Sequence, residues 1–280
     1  MELKPFSCLE GGKAVHSIVC VKEIPDPETP ASAFAIDPAA KRAIPAKDKP
    51  PVISPFDEQA VEAALRLKGD KGGKVTVISM GAPTAEKILK HSLAMGADEA
   101  VLLNDPAFEG SDSFSTAYVL AQAIKKIGQF DFIFCGRQAG DFDMGQVGSG
   151  VAELLGIPSV TLAKKIEAKD GHARVERAFP DGYEVVEVSM PALITVSNEL
   201  GEPRYAPLKG IMAAAKKKVP VWNATEINAE SSKIGSAGRH TSMLKLFIPV
   251  RESKCEIIAG ENEEDTANKL ALKLREVKLI

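Results

Sequence analysis

Phe132-Ile-Phe-Cys-Gly-Arg-Gln-Ala-Gly-Asp-Phe-Asp-Met-Gly-Gln-Val-Gly148 begins as an apolar run, turns at glycines and ends where a helical pattern starts. Residues 132–135 read as a buried strand, and Gly136 and Gly140 punctuate the turn after it. Asp143 is placed to cap a helix, with Gln146 three residues on to complete a capping-box-like pair. Val147, Val151, Leu154 and Leu155 then recur at i, i+4, i+7 and i+8, the apolar stripe of an amphipathic helix. The first turn of such a helix offers free N–H groups and the positive end of its dipole, which suits a phosphate. Gly145 and Gly148 let a ligand come close to the backbone. Many helices start this way and bind nothing, so the stretch alone leaves an ordinary strand-to-helix turn open.

The same unit recurs upstream. Residues 16–22 are a short apolar run with β-branched members, a buried first strand. Pro25, Pro27, Pro30, Pro38, Pro45, Pro50 and Pro51 then forbid regular structure and make a long excursion. A helix starts with Ser54 as N-cap, Pro55 at its first position and Asp57 in its first turn, and Lys68-Gly69 ends it. Residues 74–80 and 99–103 are the second and third strands, 83–95 and 113–127 the second and third helices, and 131–135 the fourth strand.

Alternation of this regularity predicts a parallel sheet with helices on both faces. Ligands in such sheets sit at the carboxyl ends of the strands where the strand order reverses. If the order is 3-2-1-4, Cys20-Val-Lys22 and Cys135-Gly-Arg137 open onto one crevice. Beyond Leu155, residues 159–167, 173–178, 184–190 and 192–196 read as short strands of antiparallel, hairpin-like material, with turn signals at Gly171 and Asp181-Gly182. A helix is expected over 207–216, a Ser-, Gly- and Ala-rich linker around 228–239, and a terminal helix over 262–277. That last helix carries a stripe of Ala267, Leu270, Ala271 and Leu274, which must bury itself on its own domain or on a partner.

Composition narrows the function. The 280 residues are 45% hydrophobic, and 35 basic against 38 acidic side chains leave a net charge of −3. No basic face for nucleic acid is implied. Lys216-Lys-Lys218 is the one basic run. The four cysteines, Cys8, Cys20, Cys135 and Cys255, form no C-x-x-C and have no histidine at ligand spacing, so neither zinc nor a disulfide framework is expected and the chain reads as intracellular. No apolar run approaches the roughly 20 residues that cross a bilayer. Residues 1–15 read as a loose leader rather than a secretory signal.

Candidate catalysts are sparse. His16, His91, His172 and His240 lie in unrelated contexts, and the G-x-S-x-G, H-E-x-x-H, P-loop and G-x-G-x-x-G patterns are absent. The glycine-rich loop that adenylating relatives of such folds carry after strand one is missing too. A site of this kind could hold a nucleotide without activating it. Asp141 and Asp143 put two carboxylates near the proposed phosphate, which would suit ribose hydroxyls or an arginine better.

With these residues in view, the chain resembles the β subunit of electron-transfer flavoprotein, the FixA family, from about residue 16 to 222. The blocks that carry the resemblance are Val175-Glu-Arg-x-x-x-Asp-Gly-Tyr-Glu184, Pro191-Ala-Leu-Ile-Thr195, Glu202-Pro-Arg-Tyr205 and Ile211-Met212 with Lys216-Lys-Lys218. Val21-Lys-Glu-Ile-Pro-Asp26, Ala94-Met-Gly-Ala-Asp98 and Gly136-Arg-Gln-Ala139 fit as well.

The resemblance implies a three-layer α/β/α fold with a mainly parallel, Rossmann-like (adenine nucleotide α-hydrolase-like) sheet, added antiparallel hairpins and a C-terminal tail. Residues 16–227 would form the nucleotide-binding domain, and 228–280 a linker and helical arm packing on the partner α subunit. It implies an electron carrier rather than an enzyme, in electron transport linked to fatty acid oxidation in a prokaryotic cytoplasm. Its partners would be the α subunit, flavoprotein acyl-CoA-type dehydrogenases and a quinone oxidoreductase or similar acceptor.

In that family the α subunit holds most of the FAD, and the β subunit binds AMP or, in electron-bifurcating members that use NADH, a second FAD. Carried over, the nucleotide contacts fall on Cys20, Ser54, Pro55, Phe56, Asp57 and Met80. The remainder are Gly136, Arg137, Gln138, Ala139, Gly140, Asp141, Phe142, Asp143, Met144, Gly145, Gln146 and Val147. The loop that docks dehydrogenases matches residues 198–205, with Leu200 as its apolar anchor between Glu199 and Gly201. Residues 141–149 stand between two family patterns. Residues 21–26 and 181–184 lean toward bifurcating relatives, whereas Met144 and Ser149 lean away. AMP is the expectation, with a second FAD as alternative; a nucleotide-hydrolysing enzyme or a nucleotide sensor of similar fold are remoter readings.

Overall fold

The protein is described here by a computed structural model that covers residues 14–30, 33–39, 41–44, 49–249 and 255–280. Most of the expected leader, and Cys8 with it, lies outside these residues. The chain divides into two compact units, Met1–Leu244 and Lys245–Ile280.

β1 (Val15–Cys20) is buried along nearly its whole length. The proline-rich excursion is not featureless, because short proline-free pieces of it pair. β2 (Glu23–Ile24) lies antiparallel to β5 (Val52–Ile53), and β3 (Ala35–Asp37) to β4 (Arg42–Ile44). Then come α1 (Pro55–Lys71), β6 (Gly73–Met80), α2 (Glu86–Met95), β7 (Glu99–Leu103), α3 (Ser113–Ile127) and β8 (Phe132–Gly136). α1 runs past Gly69, which keeps helical geometry, and ends at Gly72, whose φ of 71° closes the last turn. α2 is entered through a 3₁₀ turn, Pro83–Ala85.

The downstream elements are α4 (Val147–Leu155), β9 (Ser159–Lys169), β10 (His172–Phe179), β11 (Gly182–Ser189), β12 (Ala192–Val196), α5 (Leu208–Lys216) and β13 (Val221–Trp222). One nine-stranded sheet runs β11-β10-β9-β12-β8-β1-β6-β7-β13. Its centre, β7-β6-β1-β8, is the expected 3-2-1-4 order, all parallel, with Val19 flanked by Val77 and Phe134. The hairpin expectation after residue 155 holds for β9, β10 and β11, which pair antiparallel in turn, but not for β12. β12 and β9 extend the parallel sheet, β12 pairing with β8 and β9 in the same sense. The reason is visible in β12, where all five residues are buried, as fits a strand covered on both faces.

Helices cover both faces. Val61, Leu65, Leu67, Leu89 and Leu93 of α1 and α2 pack on one side with Val19, Val77 and Phe134, joined by Ala214 of α5. Tyr118, Leu120 and Ile124 of α3 and Val151 of α4 pack on the other with Ile18, Ile78 and Ile133. Residues 228–239 are not a loose linker: Ile234 is buried in this second layer, next to the short α6 (Gly235–Gly238). In the second unit α7 (Glu263–Glu276) is capped by Asn262, whose side chain accepts the Asp265 N–H, and none of its residues is buried. Among the described residues no helix is long and apolar enough to cross a membrane, and no cluster of His, Cys, Asp and Glu could hold a metal ion.

Candidate functional site

The strand order changes direction between β1 and β8, so their carboxyl ends open a crevice. Cys20, Met80 and Gly136 are the last residues of β1, β6 and β8. α1 begins at the same place because the Ser54 N–H donates to Lys22 O at 2.9 Å. Ser54 occupies the N-cap position with Pro55 next, as expected, but its hydroxyl makes no capping bond. The N–H groups of Asp57 and Glu58 reach the Ser54 carbonyl instead.

Asp57 ties the crevice together. Its carboxylate accepts the Lys22 N–H at 2.9 Å and the Gly136 N–H at 3.0 Å, so one side chain joins the ends of β1 and β8. It is only 8% exposed. Burial pushes its pKa up to about 7, against the two amide bonds and the Lys22 charge that pull it down, with Asp141 adding to the rise. Gly136 has no room for a side chain: a Cβ there would meet Asp57 Oδ1 at 2.5 Å and Phe56 Cβ at 2.7 Å. Gly140 likewise faces Ile24 Cδ1 at 2.9 Å, with Ser54 Oγ at 3.5 Å.

The loop 137–146 folds over this floor. The Arg137 N–H donates to Val196 O, its Nη1 to Asn198 Oδ1 at 3.1 Å, and its guanidinium lies 4.9 Å from the Phe56 ring centre. The two loop carboxylates are both engaged. Asp141 takes Lys22 Nζ at 2.8 and 2.7 Å, and Asp143 accepts from Gln138 Nε2 at 2.7 Å. The expected Asp143 cap is therefore overturned: α4 starts at Val147 with Gln146 at the N-cap, and no side chain caps it. Asp143 instead sits at φ 53° inside a turn in which its N–H reaches Ala139 O. Gly150 N to Gln146 O is the first bond of the helix, so the N–H groups of 147–149 have no intrahelical acceptor. Phe142 and Met144 are exposed, Gly145 packs against Arg137 O, and Val147 is half-buried.

Of the residues carried over, Ser54 to Asp57, Gly136, Arg137, Gly140 and Asp141 are in mutual contact or bonded to Lys22, while Gln138 and Ala139 bond within the loop to Asp143 and Met144. Cys20 brings only its backbone to the strand end. Its thiol is buried in the α3–α4 layer with Cys135, whose pKa is raised by hydrogen bonding with Cys20 and by burial. Met80 is half-buried against the same layer. Lys22, which the strand order placed at the crevice although it is not among the residues carried over, bonds both Asp57 and Asp141 there.

The loop expected to dock partners carries a 3₁₀ turn, Asn198–Leu200, and Gly201 at φ 99°. Glu199 bonds the Ser197 hydroxyl. Leu200 is not a free knob: it is half-buried against the α1–α2 layer. The exposed apolar residues that follow it in sequence are Tyr205, 98% exposed, and Leu208, Ile211 and Met212.

Comparison with known proteins agrees with this architecture. The family model described as the electron transfer flavoprotein domain matches residues 44–227. An electron transfer flavoprotein subunit beta of Thermoanaerobacterium thermosaccharolyticum is 43% identical over 255 residues, 91% of this chain and 96% of that protein. The caffeyl-CoA reductase-Etf complex subunit CarD of Acetobacterium woodii is 39% identical over 264 residues, 94% and 99% of the two chains. Protein FixA of Azorhizobium caulinodans is 36% identical over 264 residues, 91% and 92%. The chain belongs to the electron-transfer flavoprotein β subunit (FixA) family, whose work is electron transfer.

Proposed function

We propose that the chain is the β half of a heterodimer with an α subunit, and that its crevice holds AMP while FAD is held mainly by the partner. The observation that carries the reading is a pair of buried polar atoms on residues lining the crevice, Ser54 Oγ and Arg137 Nε. Neither has a hydrogen-bond partner among the described residues. A buried polar group left unpaired costs about 1–3 kcal/mol, so two in one crevice fit a ligand that supplies their partners. The uncapped start of α4 supplies N–H groups and a dipole for a phosphate. Lys22 already neutralises Asp141, and Asp143, exposed on the loop, has a carboxylate oxygen to offer ribose hydroxyls.

Flavin, when bound, supplies the reversible electron chemistry. This chain's residues bind, orient and dock, and catalyse no bond-making themselves. Electrons would pass from flavoprotein acyl-CoA-type dehydrogenases to an acceptor such as a quinone oxidoreductase, in a prokaryotic cytoplasm. Residues 198–205 would dock the dehydrogenase, and α7, with its exposed Leu270 and Leu272, would pack on the α subunit. A second reading, an electron-bifurcating β subunit with a second FAD, is favoured by the relative named as part of a caffeyl-CoA reductase complex.

The test is to purify the chain with its co-expressed α subunit, denature the complex and count nucleotides. One FAD and one AMP per heterodimer is the expected result. Two FAD selects the bifurcating reading, and a heterodimer without nucleotide in this subunit overturns the site.

A further inference from the structure

Glu62, midway along α1, is 4% exposed, and two arginines converge on it. Arg66 Nε donates to Glu62 Oε1 at 2.7 Å, while Arg204 donates to Oε2 from Nε at 2.7 Å and from its backbone N at 3.2 Å. Burial would raise the Glu62 pKa, but the hydrogen bonds from Arg204 and Arg66 outweigh it and hold the carboxyl below its ordinary value. Arg66 spends its remaining nitrogens on the loop itself, Nη1 on Leu200 O at 2.8 Å and Nη2 on Glu202 O at 3.1 Å. At the near end of the loop Arg137 holds Asn198. Beyond its single 3₁₀ turn, the segment 198–204 has no regular structure to fix its path.

We propose that Glu62 is the positioning residue of the docking loop: through Arg66 and Arg204 it sets the backbone path from Leu200 to Arg204, and so the surface offered to a flavoprotein dehydrogenase. The proposal rests on the docking role given above to residues 198–205. The geometry supports it because both arginines are anchored on one carboxylate and bond the loop at three places, Leu200 O, Glu202 O and Arg204 itself. Removing the carboxylate alone would leave the Arg66 and Arg204 charges without their shared partner, so loop geometry and ion pairing are lost together.

The experiment uses the purified heterodimer carrying Glu62→Gln, Arg204→Lys or Leu200→Ala, with a purified acyl-CoA dehydrogenase as electron donor. Amide hydrogen exchange of residues 198–205 reports the loop, and the KM for the heterodimer reports docking. For Glu62→Gln the expected result is faster exchange in the loop and a KM raised roughly tenfold, with kcat within about twofold and nucleotide content unchanged. Arg204→Lys, at a half-exposed position, keeps the charge and loses the fork, so it should move both readouts the same way by less. It also carries the test if Glu62→Gln does not assemble. If Leu200→Ala raises the KM but neither Glu62→Gln nor Arg204→Lys changes exchange or KM, the positioning role is overturned and docking stands. If the loop loosens and no variant alters the KM, the docking role fails, and the positioning role with it.

Discussion

Asp57 and Gly136 are 79 residues apart in sequence, yet the Gly136 N–H donates to the Asp57 carboxylate at 3.0 Å, and a Cβ on the glycine would stand 2.5 Å from that oxygen. The start of α1 and the end of β8 are thus held at a separation that only a hydrogen at Gly136 permits. The crevice between them inherits its width from this pair.

Gly136→Ala should therefore widen the site. The added methyl also meets the Phe56 backbone carbon at 2.8 Å, so the first turn of α1 must shift. The expected cost is about 1–3 kcal/mol of stability, with loss of most of the bound nucleotide. Denaturant midpoints and nucleotide content measured after denaturation check this together; a variant that keeps both would show that the floor can move.

Asp57 should leave a mark on the pH dependence of stability. Its folded pKa of about 7 lies above the ordinary 3.8, so the native state holds the proton to higher pH than the unfolded chain does. Its contribution is full below about pH 4 and is lost as pH rises through 7, with a ceiling of roughly 4 kcal/mol. Asp57→Asn removes that titration. The variant's stability should change less between pH 4 and 8 than the parent's, and parallel urea midpoints for the two would contradict the assignment.

Asp112 works in the opposite direction. It caps α3 through the N–H groups of Phe114 and Ser115 and grips the N–H groups of His240 and Thr241. Burial raises its pKa, but the bonds from Ser115, Thr241 and His240 more than reverse this and leave it far below the usual range. The stability it contributes is present above the ordinary carboxylate pKa and disappears as pH falls through its lowered one. Asp112→Ala should cost about 1–2 kcal/mol near neutrality. Limited proteolysis near residues 240–241 should speed up; unchanged cleavage would mean the segment is held by other contacts.

Lys22→Met separates site from stability. The Lys22–Asp141 pair is partly exposed, so its loss should move the unfolding midpoint by less than about 1 kcal/mol. Asp141 would then face the nucleotide unneutralised, and the nucleotide should dissociate faster. Equal release rates for parent and variant would remove Lys22 from the site.

Legibility varied with the range of the interactions involved. α3 was readable to the residue at 113–127, because its cap and its stripe lie within its own segment. The order β7-β6-β1-β8 followed from connection rules once the strand–helix units were seen. Asp143 looked like a cap on spacing alone, but Gln138 claims its carboxylate and the turn holds its backbone at φ 53°. Leu200 looked free because its neighbours are polar, and the contact that half-buries it comes from helices far away in sequence.

By itself the sequence determined what depends on neighbours a few residues away: the strand–helix alternation, the switch-point crevice with its glycines, and the family blocks that name its kind. Only the tertiary structure decided which groups meet across the chain. Asp57 bonds Gly136 across 79 residues and Glu62 bonds Arg204 across 142. Periodicity carries no record of such pairs, since a buried carboxylate takes whichever donors the packed layers bring to it.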